Sequence, residues 1–214
     1  MRQRKAKGFD ERMEYCSRYL TECPEVDGKH VYFDDDKELY VEIGCGKGNF
    51  IIKKALDNPD KNFVAIEGQD TVILRALEKV DEASDGNGIP NLKFMVAFIQ
   101  DISEFFDEGQ LAGVYLNFSD PWPKARHAKR RLTYRKRLDD YAWALKKGGF
   151  VEFKTDNDGL YDFSLEEIEA AGYEIVEQTR DLHDSDYESK YTTTEYEDKF
   201  SSAGKNINYV KIVV

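Results

Sequence analysis

The chain has 214 residues, 41% hydrophobic and 13% aromatic, enough for one domain of about 100–200 residues with a modest extension. That composition excludes a wholly disordered, collagen-like or mucin-like chain. The formal charge is −11, from 31 Lys+Arg against 42 Asp+Glu; taken alone it argues against a nucleic-acid partner, because phosphate contacts need Lys and Arg.

The charge is unevenly spread. Residues 1–7 hold four basic side chains (Arg2, Arg4, Lys5, Lys7) and no acid. Residues 124–137 hold eight (Lys124, Arg126, Lys129, Arg130, Arg131, Arg135, Lys136, Arg137), again with no acid. The other 19 basic residues face all 42 acids, so the rest of the chain stands at −23. Three cysteines, Cys16, Cys23 and Cys45, form no CxxC or Cys/His cluster. No metal site is expected, and reduced thiols in a cytoplasmic protein are the default. No apolar run approaches the length of a transmembrane helix, and the N-terminus lacks the apolar core of a secretory signal.

Residues 1–37 are polar and poorly periodic, ending in Asp34-Asp35-Asp36; they read as an N-terminal extension, partly helical. From 38 to 214 the pattern is that of a single domain. Leu39–Ile43 reads as a strand, followed by Gly44, Gly46 and Gly48, then a helix over Asn49–Leu56 with apolar pairs at i, i+4. Asn62–Glu67 is a second strand and Asp70–Ala83 a helix with Ile73, Leu77 and Val80 on one face. Asp85–Pro90 is a turn cluster. Asn91–Phe98 and Gly113–Phe118 are the next strands. Leu132–Leu145 is a helix that Gly148-Gly149 stops. Phe150–Lys154 is a fifth strand, Leu160–Ala171 a helix ending at Gly172, and Tyr173–Thr179 and Asn208–Val214 the last strands. Strands alternating with helices imply an α/β fold: a mostly parallel seven-stranded sheet with helices on both faces. Ligands then sit at the carboxyl ends of the strands, near the topological switch point.

Four features fall at those ends. In Glu42-Ile-Gly44-Cys-Gly46-Lys-Gly48-Asn49 the glycines permit a tight turn and close ligand approach. The spacing is GxGxG, not the GxGxxG of dinucleotide sites, and no GxxxxGK[ST] is present. Glu42 would repel a pyrophosphate and attract a cation; an ordinary glycine-rich turn is the bland alternative. Glu67, 23 positions after Gly44, suits the two hydroxyls of an adenosine ribose, a device common to nicotinamide enzymes and methyltransferases. In Asn117-Phe-Ser-Asp120-Pro-Trp-Pro-Lys124 the prolines stiffen a loop that can aim Asn117 and Asp120. A carboxylate there can accept from a guanine edge; Trp122 reads as loop packing rather than a stacking platform. The basic run is either a solvated helix face or an RNA contact. Eight like charges without interleaved acids favour RNA, with His127 as a helper to phosphate binding. Two further segments, Lys154–Asn157 and Thr194–Glu197, read as solvated turns on chemistry alone.

Together these residues resemble the bacterial tRNA (guanine-N7)-methyltransferases of the TrmB type. The segments that carry the resemblance are VEIGCGKGNF at 41–50, YLNFSDPWPKARHAKRRL at 115–132, FKTDN at 153–157 and TTEYEDKF at 193–200. The resemblance implies a Rossmann-like, S-adenosylmethionine-dependent fold acting on N7 of the variable-loop guanine 46 of tRNA. It implies cofactor contacts from Glu42, Gly44, Gly46, Gly48, Glu67, Asn117 and Asp120, with Asp120 also catalytic. It implies substrate contacts from Lys124, Asp156, Thr194, Glu195, Tyr196 and Glu197, and RNA contacts from Arg126, His127, Lys129, Arg130 and Arg131. One position departs from the pattern. Relatives carry Asp-Ala where this chain has Phe98-Ile99, so that either backbone groups of Phe98 and Ile99 serve the adenine, or Gln100 or Asp101 replaces the missing side chain. A small-molecule methyltransferase, a nicotinamide oxidoreductase and an RNA-binding protein with a weakened cofactor site are the competing classes. A monomer and a homodimer are equally compatible with the sequence.

Overall fold

The computed structural model describes residues 5, 7–187, 192 and 206–214, in two compact units, Met1–Gln100 and Asp101–Val214.

The first unit opens with helix α1 (Phe9–Cys16), a 3₁₀ turn at Ser17–Tyr19, and a short hairpin of β1 (Glu25–Val26) and β2 (Lys29–His30). The hairpin was not foreseen. Its signal is the Asp27-Gly28 pair, both at positive φ (51° and 74°), which two-residue hairpin turns favour. Then come β3 (Leu39–Ile43), α2 (Asn49–Asp57), β4 (Asn62–Glu67), α3 (Asp70–Ala83) and β5 (Leu92–Val96). These three strands lie in the order β5-β4-β3, all parallel. β3 is buried along its whole length, the continuous burial expected of a parallel strand. The segment before residue 38 is tied to this sheet: Thr21 N–H donates to the Phe94 carbonyl at 2.7 Å. Asn91, just before β5, donates its side-chain amide to the carbonyls of Ala55, Asn58 and Lys61 at 2.7–3.0 Å.

The second unit holds β6 (Leu111–Asn117), a 3₁₀ turn at Ala125–Arg130, α4 (Arg135–Ala144), β7 (Leu145–Thr155), α5 (Asp158–Ala171), β8 (Glu174–Thr179) and β9 (Asn208–Val213). β6 runs parallel to β7, and β9 pairs antiparallel with both β7 and β8. β3 to β9 make up a seven-stranded, mostly parallel sheet. Two expectations change here. The helix read over Leu132–Leu145 begins only at Arg135, because Arg131 and Tyr134 are extended and Thr133 is buried, its hydroxyl 2.7 Å from that of Ser164. Gly148-Gly149 does not stop it. The chain is already extended at Leu145, and the glycine pair sits inside β7, where the register against β6 jumps between Leu111/Leu145 and Gly113/Phe150. Gly148, at φ 78°, donates to the Val214 carbonyl, and Gly149 accepts from Val214 N–H. Gly172, at φ 78°, does end α5, and Asn157 begins it by accepting from Leu160 N–H at 2.8 Å.

Candidate functional site

In the first unit, the carboxyl ends of β3 and β4 build a glycine cradle. Gly44, Gly46 and Gly48 all have positive φ (79°, 57° and 76°), a conformation side chains rarely adopt. Gly44 and Cys45 N–H groups donate to the Ile66 carbonyl at 2.8 and 3.0 Å, lashing the loop to β4. The three glycines then divide by role. A Cβ on Gly44 or Gly46 would meet nothing within 4 Å, whereas one on Gly48 would lie 2.6 Å from the Ala76 Cβ on α3. The first two leave room beside the backbone; the third lets two helices close.

Glu67 joins the cradle from β4. One carboxylate oxygen accepts from Gly46 N–H at 3.1 Å and the other from Gln69 N–H at 2.9 Å. Each oxygen has a further lone pair for a ligand hydroxyl. Glu42 is only 2% exposed. Burial first, then the Glu42 and Glu67 carboxylates, hold the Cys45 thiol well above its ordinary pKa. Cys45 is buried beside these two carboxylates.

Phe98 follows β5 and is 70% exposed. A Cβ on Gly68 would fall 2.1 Å from its ring, so the ring rests on the Gly68 backbone, next in sequence to Glu67. Ile99 is buried. Asp101 is exposed and caps the 3₁₀ turn that follows it. Its Oδ1 accepts from both the hydroxyl and the N–H of Ser103 at 2.8 and 3.0 Å, which hold its pKa below the usual range.

In the second unit, β6 ends at the buried Asn117, and the chain emerges with Asp120 exposed. Phe118 N–H donates to the Lys154 carbonyl on β7 at 2.9 Å. Phe118 and Trp122 both adopt positive φ (50° and 41°), a strained state for non-glycine residues that costs of order 1–3 kcal/mol each and needs bracing from outside. Arg131 supplies it at the Trp122 end: Nε and Nη2 donate to the Pro121 and Trp122 carbonyls, each at 3.1 Å, while its guanidinium lies 4.1 Å from the Phe163 ring centroid. Trp122 packs edge-on to His127 at 5.6 Å, with the Arg130 guanidinium over its ring at 4.9 Å, in keeping with a loop-packing tryptophan.

The basic run is more differentiated than its composition suggests. Lys136 pairs with Asp140 at 2.8 Å and Arg135 with Glu167 at 3.8 Å, so acids outside the run satisfy part of it. Arg131 is half-buried and turned onto its own loop. Lys124, Arg126, Lys129 and Arg130 are exposed and have no acid partner among the described residues. Arg126 Nε donates to His127 Nε2 at 3.3 Å.

Sequence reasoning missed what Lys154 does. It is 1% exposed, and its ammonium donates to the Thr192 carbonyl at 3.0 Å; a lysine ending an apolar strand was the available signal. Asp156 is half-buried. Thr194, Glu195, Tyr196 and Glu197 lie outside the described residues, as do Arg2 and Arg4.

Comparison with known proteins places this geometry in context. Residues 36–210 match the family described as "Putative methyltransferase". A tRNA (guanine-N(7)-)-methyltransferase of Mesoplasma florum is 50% identical over 82% of this chain and 81% of its own length. One from Streptococcus uberis is 41% identical over 99% of both chains. Among solved structures, the 16S rRNA methyltransferase KamB aligns with a TM-score of 0.62 at 13% identity, covering 88% of this chain and 97% of that one. A SAM-dependent methyltransferase from Aquifex aeolicus gives 0.55 at 13% identity, with 83% and 84% coverage. At such identities these two likenesses bear on the fold alone, and the fold is the Rossmann-like methyltransferase fold.

Proposed function

Since the chain belongs to the tRNA (guanine-N7-)-methyltransferase family, we propose that it methylates N7 of the variable-loop guanine of tRNA with S-adenosylmethionine. The observation that carries this reading is the stretch from Asn117 to Arg130. It holds an exposed carboxylate on a stiff, braced loop, followed at once by four exposed cations without acid partners among the described residues.

The cradle fits the cofactor. Gly44 and Gly46 leave space at the backbone, Glu67 has lone pairs left for ribose hydroxyls, and the Glu42 and Glu67 field suits a sulfonium and an amino group. When bound, S-adenosylmethionine supplies a methyl group on positively charged sulfur. Guanine N7 carries a lone pair and no proton, so no general base is required. The protein's part is alignment and the dispersal of positive charge. We assign Asp120 to the N1–H and exocyclic amine of guanine, where its charge also offsets the cationic purine that forms. Lys124 and Asp156, with the Thr194–Glu197 segment, are assigned to substrate. Lys124, Arg126, Lys129 and Arg130 are assigned to tRNA phosphates. A tRNA substrate implies a cytoplasmic enzyme.

The test is incubation with labelled S-adenosylmethionine and unmodified tRNA, followed by reduction and aniline cleavage to locate N7-methylguanosine. Label at one variable-loop guanine is expected. Label elsewhere, or in a small molecule in preference to tRNA, would overturn the reading.

Phe98 offers the adenine an aromatic face where a carboxylate would otherwise stand. Base–aromatic stacking is worth about 1–3 kcal/mol, so F98A should weaken S-adenosylhomocysteine binding by about tenfold or more in calorimetry. Its tRNA affinity should be unchanged. Equal cofactor affinity in F98A and the parent would leave the adenine to backbone groups alone.

A further inference from the structure

We propose that Arg131, although it belongs to the basic run, is not an RNA contact but a positioning residue that holds Asp120 for guanine. The proposal rests on the Asp120 role assigned above. The loop from Phe118 to Trp122 is bracketed by two residues at positive φ, 50° and 41°, and Asp120 lies between them. Arg131 donates Nε and Nη2 to two successive carbonyls of that loop, Pro121 and Trp122, both at 3.1 Å. Proline has no N–H, so the backbone around Pro121 cannot anchor itself through a donor at that position and relies on its carbonyl. The guanidinium is held from the other side by the Phe163 ring of α5 at 4.1 Å. A planar fork with two directed N–H groups suits adjacent carbonyls; a lysine ammonium does not reproduce it. The neighbouring cations differ in exposure: Lys124, Lys129 and Arg130 are exposed, and Arg131 alone of the Arg126–Arg131 cations is half-buried with two of its donors on loop carbonyls.

Phosphate contact and loop positioning make opposite predictions. A phosphate contact survives R131K, because lysine also binds phosphate, and R131M would lower the salt slope of tRNA binding by about one. Positioning predicts that R131K lowers kcat roughly tenfold to a hundredfold, the scale of a small misplacement of a reacting group, while KM for tRNA is kept. It predicts that R131M leaves the salt slope unchanged. K129A/R130A should show the contrast in binding: a salt slope lower by about one to two. Because Arg131 acts through Asp120, R131K/D120N should be no slower than D120N alone. F163L, which removes the ring under the guanidinium, should lower kcat in the same direction. If R131M melts below the assay temperature, R131K and F163L carry the test. A salt slope lowered in R131M with kcat kept in R131K would overturn the proposal, as would losses that multiply in the double variant. An impaired D120N beside an R131K at the parent rate sinks the positioning role alone. A D120N at the parent rate sinks the Asp120 assignment on which it rests.

Discussion

Replacing Asp120 by Asn is expected to lower the methylation rate at saturating tRNA and S-adenosylmethionine by roughly 10²–10³-fold, the usual scale for removing one preorganised electrostatic contact to developing charge. The substitution keeps the size of the side chain and removes its charge. Its amide would also set a donor against the donors of the guanine edge. Asp120 is exposed, so stability should stay within about 0.5 kcal/mol of the parent, as for ordinary surface changes. Single-turnover rates with unmodified tRNA, measured beside urea denaturation, separate the two effects. A D120N variant at near-parental rate would remove Asp120 from the chemistry.

The glycine loop gives the second large effect, and here two similar substitutions should behave differently. G48A places a methyl group 2.6 Å from the Ala76 Cβ and 3.3 Å from its Cα, where neither helix has a flexible end to move aside. Overpacking costs typically about 1–3 kcal/mol, and left-handed backbone at Ala adds about 1–2 kcal/mol. G48A should therefore lose about 2–5 kcal/mol of folding stability, read from the urea midpoint. G46A meets open space and should lose only the backbone cost, about 1–2 kcal/mol. Its methyl group enters the space assigned to the cofactor, so S-adenosylhomocysteine binding should fall by more than tenfold while the fold persists. If G46A bound the nucleoside normally, the open space at Gly46 would not be the cofactor's place. If G48A were as stable as the parent, the close approach to Ala76 would not be rigid.

Elements whose signal is local were legible in the chain. β3, β4 and α3 have the bounds read from alternation and i, i+4 spacing, because a strand buried on both faces and an amphipathic helix write their environment into the residue pattern. The α4 start was misplaced for the complementary reason. Apolar spacing from Leu132 onward looks helical, but the hydroxyl contact of Thr133 with Ser164 and the extended Tyr134 come from packing against another element. Gly148-Gly149 carried a helix-stop signal, yet its partners are the backbone of Val214, a pairing that spacing cannot contain.

The candidate site divides in the same way. Residue types and their order were enough to nominate Gly44 to Gly48, Glu67, Asp120 and the cations after it as candidates, because each offers its chemical identity at a strand end. What each does there was not readable. Whether a glycine makes room for a ligand or for a helix depends on what faces its missing Cβ, which separates Gly46 from Gly48. Whether a cation in a basic run packs on a ring with its head exposed or turns onto its own backbone carbonyls depends on where the chain turns, which separates Arg130 from Arg131. The chain's charge shows both levels at once. A total of −11 and its division into two cationic segments on an anionic body are properties of the sequence. Folding then brings Glu167 from α5 to Arg135, beside the local i, i+4 pair of Lys136 with Asp140, and leaves Lys124, Arg126, Lys129 and Arg130 exposed. Coulomb interactions act through distance, and only the tertiary structure decides which charges are near.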